Sequence, residues 1–83
     1  MFDIDIFDSL NYKQRSFVYR VVGYVVEQHK KPNFEDHLIF QQLNPTQMGF
    51  IEKLVDDMLV DPVYATKTKW FMEATKAVQK GAI

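Results

Sequence analysis

Three aspartates near the start of the chain have a spacing that superficially suggests a cation site. Asp3, Asp5 and Asp8 supply carboxylate oxygens, the donors that Ca²⁺ prefers in proteins. A calcium-binding loop also needs a central glycine and a glutamate at its twelfth position, but the twelfth residue counted from Asp3 is Gln14. The sequence therefore predicts no metal site here, and it indicates no cofactor elsewhere.

The other side chains capable of chemistry do not form a catalytic pattern. His29 and His37 stand eight positions apart, without the i, i+4 spacing or the cysteines of a zinc site, so both are expected in loops or at the surface. With no cysteine and only isolated glycines, the chain lacks a thiolate nucleophile and a phosphate-binding loop. Ser9 and Ser16 belong to no nucleophile constellation. An enzyme is not expected.

Length and composition predict one globular domain covering residues 1–83. The chain is 47% hydrophobic and 25% charged, which is typical of folded domains. No apolar run approaches the roughly 20 residues of a membrane span. The acidic start is unlike the basic start of a signal peptide, and cysteine is absent. A cytoplasmic protein is expected, in the host cytoplasm if the chain is viral.

An internal repeat at an offset of 33 positions is the most informative pattern in the chain. Residues 10–18 and 43–51 share Leu, Asn, Gln and Phe in register, and similar apolar positions follow each copy. Each asparagine suits a helix N-cap, and each glutamine sits where a capping box places its reciprocal acceptor. The predicted capping pairs are Asn11 with Gln14 and Asn44 with Gln47.

These capped amphipathic segments predict an all-α fold, a small four-helix domain of two similar helical hairpins at approximately 10–42 and 43–81. In the first unit, Asn33 is expected to cap a second helix that runs to Gln42. In the second unit, Asp61 is expected to cap the last helix. The apolar positions of that helix continue to Ala77 and Val78, and Gly81 is expected to end it.

Residues 2–7 alternate apolar and acidic side chains with the period of a β-strand. A single short strand has nothing to pair with in this chain. A short extended or irregular N-terminal arm lying over the helices is therefore expected. The alternatives are pairing with a second copy in a dimer, or a short helix through Phe7 and Leu10.

The first long helix is apolar or aromatic around a wider arc than the third. Where the third helix carries Glu52 and Asp57, the first carries Tyr19 and Tyr24, and Tyr12 lies on the same side as Tyr19. The resulting arc covers roughly 240°. Such a helix is either the central helix of the monomer, packed by the others, or it presents tyrosines to a partner.

Two further positions raise the question of contacts with other molecules. Gly23, in the middle of the first long helix, suggests a close approach of another backbone. Trp70 and Phe71 are adjacent on one helix and cannot both point at the centre of the core, so one of them is expected at its margin.

The net charge of −1 is unevenly distributed, and acidic and basic blocks are expected to neutralise each other within the fold. The acidic third helix would repel phosphate if it were placed in a DNA groove. Nucleic-acid binding is therefore the least favoured of the binding hypotheses.

By elimination, the leading hypothesis is a non-enzymatic protein-binding module, a small regulator or inhibitor that occupies a partner's surface. A phage-encoded effector is one source consistent with so short a chain. The alternative is a self-assembling structural or oligomerisation protein, such as a homodimer, that buries the wide arc of the first helix against its own copy. The candidate contacts are Tyr12, Tyr19, Tyr24 and Trp70, with the acidic strip Glu52, Asp56 and Asp57 as the second choice.

Overall fold

The regular structure that the computed structural model describes is entirely helical, which confirms the all-α prediction. The backbone is described for residues 3–81 and the side chains for residues 3–75, so the predicted apolar positions Phe2, Ala77 and Val78 lie outside the described side chains. Within this range there are five helices rather than the four predicted. They are α1 (Ile4–Asp8), α2 (Tyr12–Gln28), α3 (Leu38–Gln41), α4 (Pro45–Val60) and α5 (Pro62–Gly81).

The two predicted capping boxes begin α2 and α4. The Gln14 N–H donates to Asn11 Oδ1 and the Asn11 N–H donates to Gln14 Oε1, both at 2.9 Å. The Asn44 and Gln47 pair repeats this geometry at 2.8 and 3.1 Å. Each box satisfies two backbone donors that a helix start would otherwise leave without partners, which explains why local sequence alone identified both starts.

The core is built mainly from one apolar face of α2 and one of α4. α5 packs against both of these helices, α1 packs against α4, and α3 packs against α2. α2 therefore contacts three other helices, as the central-helix interpretation of its wide apolar arc requires. The buried residues of the two helices are Phe17, Val18, Val21, Val22 and Val25 in α2, and Phe50, Ile51, Leu54, Val55 and Met58 in α4.

The N-terminal segment forms a helix, so the predicted extended or irregular arm is wrong for the described residues. Asp3 Oδ1 accepts from the N–H groups of Asp5 and Ile6 at 3.1 and 3.2 Å, which caps α1. Phe7 is fully buried and its ring lies 5.8 Å from that of Tyr19. Burying Phe7 and capping the helix stabilise α1, although the apolar alternation resembles that of a strand.

The helix predicted to start at Asn33 is reduced to the single turn of α3. The Asn33 side chain does not cap a helix, because its Nδ2 donates to Asp36 Oδ2 at 3.0 Å within a loop. Phe34 in this loop is buried, and its ring lies 5.1 Å from that of Phe40. The two predicted hairpins therefore resemble each other in their first helices and differ in their second.

Both histidines lie at helix ends, on the surface that the sequence predicts for them. His29 is the C-cap of α2 in the left-handed conformation, with φ of 55°, and its N–H donates to the Val25 carbonyl. His37 is the N-cap of α3, and its ring lies 5.4 Å from that of Phe17. Both residues are exposed.

Candidate protein-binding surfaces

The orientation of α5 is set by the side chains that it buries. Asp61 Oδ1 accepts from the N–H groups of Val63 and Tyr64 at 3.0 and 3.3 Å, which confirms the predicted cap. Ala65, Thr68 and Met72 are buried against α2 and α4. The Thr68 hydroxyl donates to the Tyr64 carbonyl at 2.8 Å, which satisfies its polar group inside the packed face.

The opposite side of α5 carries a large aromatic side chain in solvent. Trp70 is 65% exposed, and at about 100° per residue it lies roughly 160° around the helix from both Thr68 and Met72. Val63, two turns earlier, and Ala74, one turn later, are also exposed. Together Val63, Trp70 and Ala74 form an apolar strip, called here the outer strip.

Trp70 and Phe71 differ less than the sequence suggests. Phe71 is also partly exposed, at the edge between the outer strip and the packed face. Neither ring occupies the centre of the core, where Met72 is buried instead. The predicted contact residue Trp70 is therefore accessible to another molecule.

The three tyrosines of α2 do not share one surface. Tyr12 is 78% exposed and Tyr24 is moderately exposed, whereas Tyr19 is half-buried. Tyr24 lies roughly 140° around the helix from Tyr19. Burial raises the pKa of Tyr19 above its ordinary value of 10.0, and the positive charge of Arg15 opposes this shift.

Gly23 does not meet a close backbone, contrary to the sequence-based expectation. Among the described residues, no atom lies within 4 Å of a Cβ added at this position. Gly23 instead lines a shallow depression between α2 and α5, together with Tyr19, Lys69 and Glu73. The helix could therefore accommodate alanine at this point.

The predicted acidic strip is divided between two surfaces of α4. Glu52 and Asp56, one turn apart, are exposed on the outward side of the helix. Asp57 is half-buried and lies roughly 100° around the helix from Asp56. Only Asp57 faces the groove described next.

Two adjoining depressions lie on α4, one beside α1 and the other beside α5, and together they form a groove. Their volumes are about 380 and 400 Å³, and they share Lys53 and Asp57. Asp3 and Ile6 lie on the α1 side, and Tyr64 lies on the α5 side. We call this the acidic groove, because Asp61 adds a third carboxylate to its lining.

The sequence did not indicate this groove, since it depends on α1 packing against α4. The acidic and basic residues that the sequence predicts to neutralise each other do not do so in this groove. Between the described residues, one salt bridge occurs, from Lys31 Nζ to Glu35 Oε1 at 3.3 Å, and it lies away from the groove. Lys53 and Asp57 therefore share the groove without forming an ion pair.

Tyr64 is the titratable aromatic residue of the groove. Its pKa is raised above the ordinary value of 10.0, mainly because burial disfavours the phenolate. The negative charge of Asp57 raises this pKa further, whereas the side chain of Thr68 acts in the opposite direction. The phenol therefore stays neutral in the folded protein to higher pH than in water.

Among residues 3–81, no three His, Cys, Asp or Glu side chains are arranged to hold a metal ion. No helix within the same residues is both long enough and apolar enough to cross a membrane.

The fold and surfaces define a small all-α protein with two candidate binding surfaces, the outer strip of α5 and the acidic groove. The chain matches no protein-family model, no curated protein and no solved structure.

Proposed function

We propose that this chain is a non-enzymatic protein-binding module, a small regulator or inhibitor that acts by occupying the surface of another protein. The observation that carries the proposal is the exposure of Trp70 in the outer strip of α5. Tryptophan is enriched among the residues that dominate binding energy at protein interfaces. A cytoplasmic setting is proposed with it, in the host cytoplasm if the chain is viral, and the lack of cysteine supports this setting.

The energetic scale of this contact is substantial. A tryptophan side chain buries roughly 150–250 Å² when fully covered. Covering the 65% of Trp70 that is exposed would contribute about 2–4 kcal/mol at about 25 cal/mol per Å². One such anchor, with Val63 and Ala74 on the same side of α5, supports binding to a matching apolar pocket.

The proposal includes no catalytic role. Ser9 Oγ donates to the Ile6 carbonyl and accepts from Gln47 Nε2, so its hydrogen bonds belong to a helix end. His29 and His37 likewise occupy caps of helices. These contacts support structural roles for the groups that could otherwise act as nucleophile and base.

Self-assembly is the second candidate, and the position of the outer strip favours α5 as its seam. The sequence suggested α2 for this role, but Tyr19 and Val26 of α2 pack against the core of their own domain. The outer strip lies on the exposed side of a 20-residue helix, a geometry that suits pairing with a second copy.

Light scattering behind a sizing column, over about a hundredfold range of concentration, separates these two candidates. A monomer that captures a partner supports the regulator. A dimer that Trp70→Glu converts to a monomer favours self-assembly.

Binding of the purified partner is then compared for Trp70→Glu and Leu38→Glu. The control is matched because Leu38 is 74% exposed on α3 and receives the same charge. Trp70→Glu is expected to weaken binding by about tenfold or more, and Leu38→Glu by less than about twofold. Equal effects of the two substitutions would contradict the role of the outer strip.

A further inference from the structure

The acidic groove is a second surface, separate from the outer strip. Its α5 wall is formed by Tyr64, which lies roughly 120° around the helix from Trp70. Its other wall is α1, which does not contribute to the outer strip. A ligand in the groove would therefore leave Trp70 uncovered.

The groove offers apolar contacts on both of its walls and at its α5 end. Half-buried Ile6 lies beside the part near α1, where Leu54 is buried beneath it, and half-buried Tyr64 lies beside the part near α5. Val60, at the α5 end, is 84% exposed. From Gly49 to Val60 the groove follows α4 for roughly 17 Å, the length of about three helical turns.

The charges along the groove have one predominant sign. Asp3, Asp57 and Asp61 lie along its lining against Lys53 alone. None of the four forms a salt bridge with a described residue. Asp3 and Asp61 each accept backbone N–H groups at a helix start. The groove therefore attracts cationic groups to a surface that also offers the apolar side chains of Ile6, Val60 and Tyr64.

We propose that the acidic groove binds a basic amphipathic helix of a partner protein. The apolar face of that helix would cover Ile6, Val60 and Tyr64, and its Lys or Arg side chains would pair with the aspartates. This is the helix-in-groove mode of recognition, and charge complementarity favours a positively charged ligand. The proposal gives the chain a second binding site besides the outer strip, and it names the chemical class of the ligand.

The test uses a fluorescein-labelled helical peptide of about 11 residues, built from leucine and lysine with one apolar face. A peptide in which every lysine is replaced by glutamate is the control ligand. Binding is measured by fluorescence anisotropy at low and high salt. The wild type is expected to bind the basic peptide, more weakly at high salt, and to leave the acidic peptide unbound.

Two neighbouring residues of α4 provide a matched pair of variants. Asp57→Lys and Asp56→Lys change the net charge equally, but only Asp57 lines the groove. Asp57→Lys is expected to weaken binding of the basic peptide by about tenfold, and Asp56→Lys by less than about threefold. Lys53→Glu is expected to strengthen binding several-fold, because it removes the groove's cation. Circular dichroism checks that each variant retains the wild-type helix content.

Several outcomes would overturn the proposal. Equal weakening by Asp56→Lys and Asp57→Lys would show diffuse charge attraction rather than a site. Equal binding of both peptides, or no binding of the basic one, would also reject it. Trp70→Glu separates the two surfaces, since it should leave peptide binding unchanged. Retained partner binding in Trp70→Glu would contradict only the role proposed for the outer strip.

Discussion

Gln47 Nε2 donates a 3.2 Å hydrogen bond to Ser9 Oγ, which joins the first turn of α4 to the end of α1. The same Gln47 side chain closes the capping box through its Oε1, which accepts from the Asn44 N–H. Ser9 in turn donates to the Ile6 carbonyl. One side chain therefore both caps α4 and helps to hold α1 beside it, where α1 forms one wall of the acidic groove.

This link should appear as a coupling free energy. A double-mutant cycle of Ser9→Ala and Gln47→Ala is expected to give a coupling of about 0.5–1.5 kcal/mol in the free energy of unfolding, because both single variants break the same hydrogen bond. Urea denaturation measures it. The cycle of Ser9→Ala with Gln14→Ala is the control, since Gln14 caps α2 through Asn11 rather than hydrogen-bonding to Ser9. Comparable coupling in both cycles would argue against the link.

The N-caps should matter at the observed helix starts and not at Asn33. Asn11→Ala and Asn44→Ala are each expected to lower the free energy of unfolding by about 1 kcal/mol, because each leaves a first-turn N–H without its acceptor. Asn33→Ala should cost less than about 0.5 kcal/mol, since Asn33 bonds to the Asp36 side chain in a loop. Chemical denaturation of the three variants tests this order, and a large loss in Asn33→Ala would contradict it.

Gly23 is predicted to be a site of stabilisation. Gly23→Ala should raise the free energy of unfolding by about 0.5–1 kcal/mol, because the residue lies inside α2 and an added Cβ meets no described atom within 4 Å. Gly49→Ala in α4 should behave similarly for the same reason. Thermal denaturation provides the measurement, and a lower midpoint in Gly23→Ala would reveal a contact at this position.

The folded protein should lose stability at alkaline pH because the Tyr64 phenol is deprotonated there. Its folded-state pKa is raised above 10.0 by burial and by Asp57, so above pH 10.0 the unfolded chain loses the phenolic proton first. The stabilisation is fully present below pH 10.0 and is lost as the pH rises through the folded-state pKa. Tyr64→Phe should reduce the fall in urea midpoint between about pH 9 and pH 11. Tyr12→Phe is the control, because Tyr12 is mostly in solvent, and equal slopes in the two variants would contradict the prediction.

The starts of α2 and α4 were predictable because their determinants are local. Asn11 and Gln14 stand three positions apart, and each satisfies the other's backbone. The same holds for Asp61, whose carboxylate caps α5 from the position immediately before Pro62. In each case the stabilising contact spans no more than four residues, so its pattern is visible in the sequence.

The remaining structure depends on contacts between distant residues. The alternation of Ile4 and Ile6 resembles a strand, and the burial of Phe7 against Tyr19 acts together with the Asp3 cap to favour a helix. The sequence indicated Asp57 as a contact but grouped it with Asp56. Their separation into a groove and an outward surface follows from the placement of α1 and α5 against α4.

The exposure of Trp70 has a consequence for spectroscopy. It is the chain's single tryptophan, and its indole lies outside the packed core in the folded state. Its emission should therefore change little when the domain unfolds, so folding is better followed by circular dichroism at the helix bands. Association through the outer strip would instead dehydrate the indole and shift its emission to shorter wavelength. The emission of this intrinsic fluorophore should therefore report association of the protein and hardly respond to its folding.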